Sequence, residues 1–221
     1  MKSIFLALVA ITLTTLSIGQ VTEGSAKYAI EMISDDPNVQ AQMGMLQGSK
    51  MNMFFSQDFS RVEFSLGMMM NMTTITNNKS NNAIMLMSGM LGNKAVKMTA
   101  DDIAKAGDET PEVEITETNE TKKILGYTCK KTILTVDEGV EVSYWSTDEI
   151  KASKTNNKYM NEKISGFPLQ FETATMGIKM SFTATEFTPN LKGQKTKELF
   201  NMSIPEGYEE MSIEQLSGMG M

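Results

Sequence analysis

The stretch Gly177 to Phe187, GIKMSFTATEF, alternates strictly, with Ile178, Met180, Phe182 and Ala184 on one side and Lys179, Ser181 and Thr183 on the other. A period of two belongs to a half-buried strand and to no helix. Ser25 to Ser34 repeats the pattern with Ala26, Tyr28, Ile30 and Met32, and Ser60 to Leu66 repeats it with Val62, Phe64 and Leu66. Weaker versions predict strands over Lys50 to Gln57, Met68 to Thr76, Ala83 to Met90, Ala95 to Met98, Glu112 to Thr118 and Leu169 to Thr175, with a last one at Leu199 to Ile204. The links between them, such as Gln57-Asp58, Asn77 to Asn82 and Gly92-Asn93, are too short for parallel crossovers. A mainly β, antiparallel fold follows. Two short helices fit the remainder, one through Val39 to Leu46 after a capping Asp35 or Asp36, and one from Asp101 to Ala106. The polar stretch from Gly107 to Pro111 separates two halves of the sheet, and Ser212 to Leu216 reads as one exposed helical turn.

Between Lys122 and Ile150 two strands meet at a tight turn, and they carry the chain's one cysteine, Cys129, and one tryptophan, Trp145. This hairpin is expected at the centre of the fold. Cys129 shares a strand face with Tyr127, Lys131 and Ile133, and a neighbouring lysine can lower a thiol's pKa. Without histidine or a second cysteine to resolve an intermediate, burial as a small apolar residue is the expectation.

Methionine numbers 21, and eleven of these fall between Met43 and Met90. In strands, Met51 with Met53, Met68 with Met70 and Met72, and Met85 with Met87 each share a face, so neighbouring strands can gather them into one layer. Three readings of that layer stand open: an irregular core filled by flexible thioethers, the lining of a cavity for an apolar ligand, or a copper(I) site built from soft ligands. The candidate cavity residues are Met51, Met53, Met68, Met70, Met72, Met85 and Met87.

Several mechanisms are excluded. Histidine is absent, which removes Ser-His-Asp and Cys-His catalysis and the usual zinc and copper(II) ligand sets. No phosphate-cradling glycine loop or GxSxG elbow occurs. Paired acids such as Asp35-Asp36, and Glu112, Glu114 and Glu117 along one segment, read as a turn cap and a solvated strand face. No catalytic residue, metal ligand or cofactor is assigned, and no enzyme activity is expected.

The first residues, MKSIFLALVAITLTTLSIGQ, join one lysine to an apolar run that ends at small residues, the pattern of a secretory signal peptide cleaved after Gly19. The run is short for a membrane span of about 20 residues, so no transmembrane segment is expected after cleavage. Residues 20–221 then form one exported domain. Cleavage removes one lysine and no acid, taking the formal charge from −7 to −8. Such a surface disfavours nucleic acid and anionic membranes as partners.

The segment ETNETKKILGYTCKKTILTVDEGVEVSYWSTDEI, from Glu117 to Ile150, resembles a family of exported Gram-negative proteins known as a domain of unknown function. The shared pattern is I-x-G-Y-x-C-K-K, here Ile124, Gly126, Tyr127, Cys129, Lys130 and Lys131, followed by a strand ending in Trp145 and the acids Asp148 and Glu149. Gly166-Phe167-Pro168-Leu169 is similar to an element of the related GLPGLI proteins. The family is in turn similar in pattern to the LolA and LolB lipoprotein carriers. That resemblance implies a curved antiparallel half-barrel whose two short helices cap an apolar concave face, located in the periplasm or outside the cell. It also implies a non-catalytic module whose partner is an apolar small molecule or a lipoprotein acyl chain, with a cell-envelope interaction protein as the alternative.

Overall fold

The computed structural model describes residues 21–34, 40, 43–90, 92–108, 113–136, 139–152, 164–175 and 178–218. The expected signal peptide, the start of the first helix and the loop 153–163 lie outside the described residues.

Twelve strands form one open, curved sheet. They are β1 (Gly24–Ser34), β2 (Lys50–Phe55), β3 (Phe59–Leu66), β4 (Met70–Asn77), β5 (Ala83–Gly89), β6 (Lys94–Met98), β7 (Glu114–Ile124), β8 (Tyr127–Val136), β9 (Val140–Thr147), β10 (Phe167–Thr175), β11 (Ile178–Thr188) and β12 (Glu209–Met211). Among the described residues three short helices accompany them: α1 (Ala100–Asp108), α2 (Thr196–Leu199) and α3 (Ile213–Gly218). The fold class read from the alternation is thus the one observed.

The spatial order is β12-β6-β5-β4-β3-β2-β1-β11-β10-β9-β8-β7. Two antiparallel meanders, β2 to β6 and β7 to β11, form two wings joined by β1. That strand pairs with β2 on one side, Tyr28 opposite Met51, and with β11 on the other, Ile30 opposite Phe182. The hairpin expected at the centre therefore lies at one end of the sheet, with β7 outermost among the described strands. Alternation specifies which face a side chain takes and leaves the order of strands open.

Local chemistry explains the turns. Between β7 and β8, Leu125 and Gly126 both hold positive φ, 51° and 88°, as the tightest hairpin turn requires. Between β4 and β5, the Asn77 Oδ1 accepts the backbone N–H groups of Lys79 and Ser80. Thr99 and Asp102 form a reciprocal cap on α1, each side chain accepting the other residue's backbone N–H at 3.3 and 2.8 Å. Ser212 and Gln215 do the same for α3.

Two expectations need correction. Leu199 to Ile204 is not a strand. Leu191, Leu199, Phe200, Met202 and Ile204 instead lie over the outer face of the first wing against Ile75 and Ile84, with Phe200 stacked on Phe59 at 5.6 Å. This strap carries the chain across to the far edge, where β12 adds to β6 in parallel and Lys97 meets Glu210 at 3.0 Å. The apolar pattern there was real, but packing on a sheet face consumes it rather than a ladder. In addition, α1 sits beside β6 and none of its described side chains joins the main core, whereas Ile213 and Leu216 of α3 do join it. Of the predicted first helix, the described residues are Gln40, which is helical, and a 3-10 turn, Met43–Leu46, followed by Gly48 at φ 77°.

Candidate ligand-binding face

The concave face is built row by row from the strand register. One row runs Tyr28, Met51, Phe64, Met72, Met87 across β1 to β5. The next runs Ala26, Met53, Val62, Thr74, Met85, Val96 from β1 to β6. Because directly opposed residues of a pleated sheet share a face, the predicted gathering of methionines into one layer is what the register produces. Met51, Met53, Met72 and Met87 are buried and Met70 and Met85 half-buried. Met68 departs: β4 begins only at Met70, and Gly67, at φ 52°, turns the chain so that Met68 stands 90% exposed. The run Met-Met-Met has no alternation of its own that could have revealed this turn.

Across β1 the same face becomes aromatic. Phe171 stacks on Phe182 at 4.5 Å, Tyr144 stacks on Phe171 at 5.6 Å, Phe64 approaches Phe182 at 6.0 Å, and Tyr28 meets Phe171 edge-on at 5.8 Å. The Tyr28 hydroxyl donates to the Pro168 carbonyl at 2.8 Å, satisfying a buried polar group. Burial raises the Tyr28 phenol and pushes the Tyr144 phenol up to about 12, so both rings stay neutral at pH 7; charge enters this face at its β6 margin, where Lys94 lies opposite Met87 and pairs with Glu209. One polar atom on β10, the buried Thr173 Oγ1, has no hydrogen-bond partner.

The face opens toward one end of the strands. Ile30, Met32, Leu66, Met70 and Met180 are half-buried at that end. Among the described residues six large apolar side chains are exposed, and five of them, Ile33, Met68, Met69, Met90 and Val140, sit at this same end. Scattered singly they would mean little; concentrated on one rim they mark a surface.

Cys129 is fully buried, and burial pushes its thiol up to about 11 despite Lys122 directly opposite. A thiol held in that state is a poor nucleophile. Trp145 faces outward on the second wing, with the Lys122 ammonium 3.9 Å and the Lys131 ammonium 5.7 Å from the centre of its ring. Lys122 also donates to the Gln170 Oε1 at 2.5 Å, and its partial burial lowers its pKa. Nearby, burial raises the Glu172 carboxyl but donation from Ser143 and Lys179 outweighs it, leaving a net lowering. These motif residues thus form a packed outer-face network, a role that spacing alone did not reveal. Among the described residues no cluster of three or more histidine, cysteine, aspartate or glutamate side chains suits a metal, and no helix is long and apolar enough to cross a membrane.

A family described as "Domain of unknown function (DUF4412)" matches residues 38–208. The chain belongs to this family. Comparison with curated proteins finds no match. Two solved structures of PNGF-II, in the C2 and P21 space groups, superpose with TM-scores of 0.52 and 0.54 at 16% and 18% identity. Each match covers 89% of this chain, and the chain spans about a third of the PNGF-II chains it matches (32% and 33%). The likeness concerns the fold alone. A LolA superfamily protein from Nitrosomonas europaea matches over 82% of this chain and 91% of its own at 12% identity, with a TM-score of 0.24.

Proposed function

We propose that this DUF4412 protein is a non-catalytic binding module for an apolar ligand such as a lipid or an acyl chain, held on its concave face. The observation that carries this reading is the continuity of one layer of thioethers and rings from β5 to β9, bounded at β6 by the Lys94–Glu209 pair, which ends at a half-open apolar rim. Flexible methionines suit a site that must shape itself to an alkyl chain. Burying a chain of about ten CH₂ groups is worth ~8 kcal/mol before the cost of displacing whatever covers the face. The leader-like N-terminus supports action outside the cytoplasm.

A second reading, a cell-envelope interaction module with a filled core, draws support from burial. Met51 is 0% and Met87 5% exposed. On the first reading a ligand enters from the Ile30, Leu66 and Met180 end and displaces side chains inward. Native mass spectrometry and solvent extraction of the purified mature chain, followed by titration with a long-chain fatty acid, separate the two. A copurifying lipid, or saturable binding that Met85→Glu weakens, supports the carrier reading. An empty protein that binds no fatty acid overturns it in favour of the filled core.

A further inference from the structure

We propose that Met68, Met69 and Met90 form a surface site for a soft monovalent cation, copper(I) in the cell, separate from the buried methionine layer. The three residues lie on two turns, Gly67 to Met69 between β3 and β4 and the turn that follows Gly89 between β5 and β6. These turns are clasped together. The Met90 N–H donates to the Met69 carbonyl at 3.3 Å, and Gly89, at φ 145°, packs so closely that a Cβ there would lie 2.3 Å from the Met69 oxygen. The backbones of Met69 and Met90 are therefore adjacent, with Met68 one residue away.

Burial does not account for these side chains: Met68 is 90%, Met90 81% and Met69 37% exposed. Such turns favour glycine, asparagine, aspartate or serine, and methionine offers neither backbone freedom nor a hydrogen bond there. What three neighbouring thioethers do offer is a neutral soft donor set, which selects copper(I) over zinc, magnesium or calcium. Each long side chain keeps its rotamers in solvent and can swing its sulfur to a common point. The acidic chain, at −7 overall, adds a favourable field for a cation.

The test is a copper(I) competition titration of the full chain against a chromophoric chelator under anaerobic reducing conditions, with silver(I) as a redox-stable probe followed by methionine-methyl NMR. One ion per chain with micromolar affinity, with the Met68, Met69 and Met90 methyl signals shifted, is the expected result. The double variant Met68→Leu/Met90→Leu keeps the wild-type melting temperature and weakens binding by about tenfold or more, while Met72→Leu/Met87→Leu leaves binding unchanged. Absence of micromolar binding, binding that survives the rim substitutions, or binding lost with the buried pair would each overturn the proposal.

Discussion

The two wings are built from the same antiparallel hairpins yet fill their common face with different materials. From β2 to β5 methionines predominate, with Met51, Met53, Met72, Met85 and Met87 beside Phe55, Val62 and Phe64, and from β9 to β11 rings predominate, with Tyr144, Phe167, Phe171 and Phe182. Rings that stack at 4.5 to 5.6 Å hold one arrangement, because each ring's position dictates its neighbour's. Thioethers with three rotatable bonds impose no such order. Their outer faces differ as well: the C-terminal strap covers the first wing at Ile75 and Ile84, while on the second the half-buried Trp145 is covered by Lys122 and Lys131. The aromatic wing is suited to hold shape and the methionine wing to yield.

The sharpest way to break this contrast is substitution on each wing. Phe171→Ala should cost about 3–5 kcal/mol in urea unfolding, because the fully buried ring contacts Tyr28, Tyr144 and Phe182. Met72→Leu, which conserves volume, should cost less than about 1.5 kcal/mol. If the two lose similar stability, the distinction between a rigid and a compliant wing fails.

A smaller effect concerns pH. The folded state holds the Cys129 proton more tightly than the unfolded chain, about 11 against 9.0. Its contribution to stability is therefore complete below pH 9 and is lost as pH rises toward 11. Lys122, lowered by partial burial, acts in the opposite sense, so Cys129→Ala isolates the thiol's share. That variant should show a flatter fall of melting temperature between pH 9 and 11. The native thiol should also resist labelling until denaturant is added. The smallest effect is expected at the outer network, where Lys122→Met should cost about 0.5–1 kcal/mol through loss of the interaction with Trp145.

Much of this arrangement was legible in the residues. Alternation places Ala26 with Tyr28, Val62 with Phe64, and Phe182 with Ala184 on the apolar side of their own strands, and pairs Met51 with Met53 and Met85 with Met87 in the same way. What alternation could not supply was neighbourhood. Nothing local in GSAKYAIEMIS says that its partners are β2 and β11, and nothing in the Tyr127 to Thr147 hairpin says that it belongs near an edge. Long-range pairing is decided by how side chains fit across strands, and that information is spread over the whole chain. Met68 was misplaced because a run of three identical apolar residues has no phase, and the turn at Gly67 depends on a backbone angle rather than on hydrophobicity.

The placement of β1 also governs the order in which the molecule can assemble. Apart from the long connection between β9 and β10, each wing is a succession of hairpins between close neighbours, whose loops close quickly and at little entropic cost. The seam between β1 and β11 is another matter: Lys27 reaches Glu186 across 159 residues. Until the last long strand is available, one edge of β1 stands unpaired with its apolar face uncovered, a template for the wrong strand or the wrong molecule. The slow step of folding, and the moment of greatest vulnerability to aggregation, should therefore be the joining of two wings that have already formed.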